Sequence, residues 1–275
     1  MIRALEKVLA RRAALAREKN DLWDQIETML TNLGQTRPPV DLELIAKHRK
    51  IHEILRVPRE VGDPEGILLP VDYGFLVRVA NDLYDTRYRS TLAHEIAHTF
   101  FFDDSTPTPR KRVEWFTHAW SEEGAASEVA RQILVPGSML RPLAASWNDS
   151  HSQFTFGTLM YLAETFRVSP EIIIRRLQDE DLCDAVFILF ERDKSSNLIP
   201  LRPMFSVGSL RVRGICARLV SDQSLNRAMD RFVEDSSESS EESCVEFKNK
   251  KLALTVARLN MKPMRILALA TPLQP

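Results

Sequence analysis

The five residues His94-Glu95-Ile96-Ala97-His98 are the part of the chain best suited to chemistry. In a helix of about 3.6 residues per turn, positions i and i+4 share a face, so two imidazoles there can converge on one ion. Glu95, one position after His94, reaches the edge of that face. Two neutral nitrogen ligands and a third protein ligand leave a fourth tetrahedral position for water, the layout of a catalytic zinc. Such an ion brings the pKa of water from about 15.7 toward about 7, and a neighbouring carboxylate takes the proton as the water attacks a carbonyl. The chemistry indicated is amide hydrolysis, with His94 and His98 as metal ligands and Glu95 as general base. Ligand preference alone leaves Mn2+ or Fe2+ as alternatives to Zn2+.

A third ligand should come from a second helix passing close to the first. Glu122 and Glu123 are the carboxylates ahead of Ala125, Ala126 and Ala130, small residues that let two helices approach. Glu123 is preferred, because Ser127 follows it at i+4 and its hydroxyl can support a ligating carboxylate. Glu122 is the alternative, and whichever glutamate is not the ligand favours the dipole at the helix N-terminus. No spacing rule selects an oxyanion partner among His118, His151, Tyr88 and Tyr161. His48 and His52, i and i+4 on an early helix, have no adjacent acid in a suitable pattern and read as solvent-facing. Arg87 and Arg89 precede the motif, either as surface charge and packing struts or as an anchor for a peptide carboxylate.

The elements that must position these groups can be read along the chain. Apolar side chains at helical spacing occupy residues 2–33 and end at Gly34, a C-cap glycine. The segment GQTRPPV is a linker. Asp41 caps a short helix, LELIAKHRKIHEI, and GILLPVDYGFLVRVAND reads as strand, turn and strand. The chain turns helical after Asp85 through TLAHEIAHTFFF, then passes DDSTPTPR, a polar loop. Helical spacing returns from about Val113 to Leu134 and stops at Pro136-Gly137. From Thr158 to Leu177 two short amphipathic stretches flank Arg167-Val168-Ser169, a helix-turn-helix in outline with Pro170 at a first helical position. Its Arg167, Arg175 and Arg176 are matched by Glu164, Glu171, Asp179, Glu180 and Asp181, so no positive face stands out for DNA. Beyond Leu182, DAVFILFE, KLALTVARL and MRILALA look like strands, and the acidic run EDSSESSEES at 234–243 reads as a solvated loop.

The 275 residues are 44% hydrophobic and 27% charged, with 37 basic against 38 acidic side chains. That composition buries a real core and excludes global disorder, and the balanced charge argues against nucleic-acid or anionic-membrane binding through a net field. No apolar run approaches the roughly 18–20 residues that span a bilayer. Cys183, Cys216 and Cys244, an odd and widely spaced set, suit reduced thiols in a cytoplasmic protein.

Two stretches resemble a known family, the ImmA/IrrE metallopeptidases, zinc proteins of bacteria and their mobile elements. RYRSTLAHEIAH at 87–98 is similar to that family's R-x-R-[FS]-T-L-A-H-E-[ILM]-[AG]-H, and EGAASEVARQILVP at 123–136 to its E-x-E-A-N-x-F-A-x-x-L-L-M-P. The following LAETFRVSPEIIIRRL also matches, so the resemblance covers roughly residues 40–180. It implies His94, His98 and Glu123 as metal ligands and Glu95 as general base. Ser127 stands where the family usually has Asn or Asp, Val129 replaces an aromatic residue, Val135 a methionine and Ala125 a common glutamate. The resemblance further implies cleavage of a transcriptional repressor, and in some members a C-terminal domain similar to GAF sensors.

The expected fold class is α+β. It comprises an N-terminal helical segment (1–36), a mainly helical zincin-like peptidase domain with a small sheet (40–150), a helix-turn-helix-like segment (151–181) and a C-terminal α/β accessory domain (182–275), GAF-like by the resemblance. The expected function is zinc-dependent endoproteolysis of a protein substrate, by the resemblance a transcriptional repressor, in a regulatory or stress response. No direct nucleic-acid or membrane partner is expected. The alternative is a non-catalytic, metal-stabilised protein-interaction or DNA-binding module.

Overall fold

The computed structural model describes residues 20–103, 105–111, 121–148, 154–183, 185–192, 198–200, 205–207, 240–247, 250–259 and 265–272. The chain divides into two units, residues 1–140 with 164–169 and residues 141–163 with 170–275.

In the first unit, helix α1 (20–32) buries Leu22, Ile26, Met29 and Leu30 at helical spacing. It ends as expected at Gly34, whose φ of 69° is open to glycine at little cost. The Gln35 amide donates back to the Leu30 carbonyl and the Gly34 amide to Thr31, which satisfies two otherwise orphaned carbonyls. Glu27 ties α1 to the chain beyond the motif: its carboxylate accepts from Gln132 Nε2 at 3.0 Å and from Ser138 Oγ at 2.6 Å.

Helix α2 (Leu42–His48) starts at Asp41, whose carboxylate accepts from the Glu43 and Leu44 amides. It is shorter than expected. Residues Ile51–Val57 form strand β1, so His48 and His52 do not share a helix. Lys50 breaks the helix with a φ of 59°, and Ile51 is then buried beside Phe75 as the first pair of a parallel ladder. Burial and long-range pairing outweigh the local helical pattern here.

Strands β2 (Gly66–Val71) and β3 (Gly74–Ala80) are the expected hairpin and complete a three-stranded sheet ordered β1-β3-β2. Phe75, Val77 and Val79 alternate along β3 and are fully buried. The outer strand β2 is antiparallel to β3, with Leu68 opposite Val77.

Helix α3 (Asp85–His98) packs on β2 and β3 and against helix α4 (Glu122–Leu134). Ala93 and Ala97 on α3 and Ala125, Ala126 and Ala130 on α4 are all buried, the small residues that a close helix pair needs. Ser121 caps α4 by accepting from the Gly124 amide, so this helix begins at Glu122. A short hairpin of β4 (Phe102–Asp103) and β5 (Arg110–Lys111) follows α3. Pro136-Gly137 does stop α4, and helix α5 (Gly137–Asn148) begins at that glycine.

Helices α6 (Phe156–Phe166) and α7 (Pro170–Asp179) are the expected pair around Arg167-Val168-Ser169. In the second unit β6 (Ala185–Arg192), β7 (Leu198–Pro200), β8 (Phe205–Val207), β9 (Ser240–Phe247), β10 (Lys250–Leu259) and β11 (Arg265–Pro272) form a sheet ordered β7-β6-β11-β10-β9, with β8 also on β6. Every pairing in it is antiparallel. Among the described residues beyond Leu182 the regular elements are all strands, and no helix of the expected α/β domain is among them. Residues 240–243 correct the expectation of a loop: Glu241 and Glu242 lie in β9, opposite Val256 and Thr255 of β10. Among the described strands β9 lies at one end of the sheet.

Candidate metal centre

Helix α3 carries its chemistry on its packed side. Thr91, Leu92, Ala93, Glu95, Ile96 and Ala97 are buried, so the helix is seated firmly around the motif. Burying Leu92 and Ile96 contributes about 1.5–3 kcal/mol each.

His94 and His98, a helical turn apart, turn their rings edge to face, with centroids 4.8 Å apart. Their Nε2 atoms approach to 3.1 Å. From α4, Glu123 Oε2 lies 3.1 Å from His94 Nε2 and Glu123 Oε1 lies 3.6 Å from His98 Nε2. One donor atom from each of the three residues falls within 4.8 Å of the others. With Zn–N bonds of about 2.0–2.1 Å, a tetrahedral zinc needs ligand atoms about 3.3 Å apart, so this donor set fits such an ion. Two imidazole nitrogens facing each other beside a carboxylate make chemical sense when their lone pairs share a cation.

Glu122 does not join that set. Its Oε1 lies 3.1 Å from His98 Nδ1, on the far side of the ring. Ser127 lines the same cleft but its hydroxyl makes no hydrogen bond to Glu123, contrary to the expected support. Burial, with the neighbouring His94, lowers the His98 pKa and favours the neutral ring a metal requires, against the opposing pull of Glu123 and Glu122.

Glu95 is 6% exposed and packs against β2. Burial, reinforced by the charge of Glu123, pushes its carboxyl up to about 7, although the Leu68 amide donates to it and works in the other direction. A carboxyl poised near neutrality can both take and return a proton. Sequence reasoning missed the residue that makes room for it. A Cβ on Gly66 would sit 2.6 Å from Glu95 Oε1 and 2.7 Å from Thr91 Cγ2. A glycine ahead of an apolar strand hints at close backbone approach, but the sequence does not say to what.

These groups open into a cleft of about 770 Å3, bounded by Gly66 and Ile67 of β2 and by Arg87, Thr91, His94 and His98 of α3. Arg87 borders it and donates to Glu65 at 2.5 Å, and Thr91 Oγ1 donates to the same carboxylate at 3.2 Å. Arg89 is instead a packing strut, buried and donating to the Val40 carbonyl at 3.1 Å. Among the oxyanion candidates, Tyr88 lies outside the cleft, under the Arg56 guanidinium at 4.5 Å. Tyr161 is an exposed residue of the second unit, and His118 and His151 lie outside the described residues. His52 donates a ring N–H to the Tyr73 carbonyl at 3.0 Å.

The helix-turn-helix-like arginines are engaged. Arg167 forms a two-pronged pair with Asp85, Arg175 pairs with Glu171, and Arg176, 2% exposed, pairs with Asp179 and Glu180. No helix among the described residues is long and apolar enough to cross a membrane.

Fold and site together bring two imidazoles from one helix, a carboxylate from the next and a buried glutamate between sheet and helix into one cleft, a group that could hold a metal ion. Residues 62–178 match the family Peptidase_M78, described as the IrrE N-terminal-like domain. A Mycobacterium tuberculosis transcriptional regulator has a similar fold, with a TM-score of 0.52 and 15% identity over 92% of this chain and 88% of that one. None of the curated proteins compared with the chain matches it.

Proposed function

We propose that the protein is a zinc-dependent endopeptidase that cuts a transcriptional repressor within an accessible segment, in a regulatory or stress response in the cytoplasm. The observation that carries this reading is the convergence of His94, His98 and Glu123 beside the buried Glu95 in an open cleft. His94, His98 and Glu123 would hold the ion. When bound, zinc supplies Lewis acidity that acidifies water and polarises the scissile carbonyl. Glu95 accepts the proton of the attacking water at its carboxylate and returns it to the departing amine. The outer strand β2, whose exposed Ile67 lines the cleft, gives an extended peptide an edge to lie along.

The Peptidase_M78 match supports the metallopeptidase assignment, and the repressor substrate follows the resemblance to ImmA/IrrE proteins. The test is incubation of zinc-loaded protein with repressors encoded near its gene. Cleavage by the wild type is expected, with Glu95→Gln losing it by at least about 10²-fold while still binding zinc. If no repressor is cut, or if Glu95→Gln cuts as well as the wild type, the reading fails.

A further inference from the structure

Two consecutive glutamates at the start of α4 meet the same imidazole from opposite sides. Side chains one position apart on a helix diverge by about 100°, so Glu122 and Glu123 need a common object between them to be useful together. That object is the His98 ring. Glu123 Oε1 stands 3.6 Å from Nε2, and Glu122 Oε1 stands 3.1 Å from Nδ1. Their surroundings differ: the Glu123 side chain is 75% exposed to the cleft, whereas those of Glu122 and His98 are 21% and 12% exposed. The Ser121 cap fixes the turn from which both project.

We propose that Glu122 is a positioning residue for the metal centre, holding His98 as the Nδ1–H tautomer so that the Nε2 lone pair faces the site. A carboxylate accepts this hydrogen bond more strongly than a neutral group, fixes the ring plane and makes the opposite nitrogen a better donor to a metal. Glu122 therefore acts through His98, as a partner rather than as a ligand. The inference rests on the proposed metal site but not on peptide cleavage.

The test uses the full-length protein and zinc alone, titrated against a chromophoric chelator. Zinc affinity should fall about 10- to 100-fold in Glu122→Ala. Glu122→Gln should recover part of it, because the amide oxygen still accepts from Nδ1–H without the charge. In metal-free protein the imidazole nitrogen shifts of isotope-labelled histidine should report the Nδ1–H form of His98 in the wild type and in Glu122→Gln, and a mixture of tautomers in Glu122→Ala. Unchanged zinc affinity in a folded Glu122→Ala, or an unchanged tautomer, overturns the proposal. If the wild type cuts its substrate and Glu122→Ala binds zinc equally well, this inference alone falls. If the wild type binds no zinc, the metallopeptidase reading falls with it.

Discussion

Glu95 occupies a socket whose walls are Thr91, the Leu68 amide and the bare Cα of Gly66. An added methyl at Gly66 would overlap Glu95 Oε1 and Cγ, so the carboxylate must move toward the cleft, and misplacing a catalytic group by about 1 Å can cost about 10²-fold. Gly66→Ala should therefore lower the rate of peptide cleavage by that order while zinc stoichiometry, read by metal analysis, stays at the wild-type value. Equal loss of bound zinc would mean instead that the site as a whole had been disturbed. His94, Glu95 and His98 were legible because a helical turn is a local rule. Glu122 and Gly66 were not, because their roles depend on which ring or carboxylate another element brings within reach.

At the level of elements, α3 is held at its C-terminus by a residue from the loop after α2. Arg49 donates from Nε to Thr99 Oγ1 and from a terminal nitrogen to the Thr99 carbonyl, each at 3.0 Å, and its guanidinium lies 4.2 Å from the centre of the Phe100 ring. A cation at that end of the helix complements the partial negative charge of its free carbonyls. Arg49→Ala should cost about 1–2 kcal/mol in urea unfolding, and because His98 is in the last turn, it should weaken zinc binding more than it weakens folding of the second unit. The same neighbourhood shows where local patterning misled. The helix expected through Ile54 ends at His48 because β1 gains a ladder with β3 and a buried Ile51, a choice made by partners far along the chain.

For the molecule as a whole, acid sensitivity should reside partly in the second unit. Burial would raise the Glu180 carboxyl, but the charge and hydrogen bond of Arg176 and those of Arg141 outweigh it and hold it below 4.5. A carboxylate depressed in the folded state contributes stability that is fully present above its unfolded pKa and is lost as pH falls through its native value. Thermal melts should therefore show stability declining below about pH 4.5. Glu180→Gln should melt lower at neutral pH, since it removes the charge pair of Glu180 with the buried Arg176, and should decline less on acidification. A variant with the wild-type pH profile would count against this account. The amino-acid sequence by itself determined the paired imidazoles and their intervening glutamate, the β2–β3 hairpin, the Asp41 cap and the Gly34 stop. Each depends on side chains within a turn or two of one another, where backbone geometry sets the distance. Only the tertiary structure decided that Glu123 faces the histidines while Glu122 backs one of them, that β2 shelters Glu95, and that Ile51–Val57 is a strand. Those outcomes compare burial and hydrogen bonding between segments dozens of residues apart, and no spacing within a segment encodes which partner will be nearer.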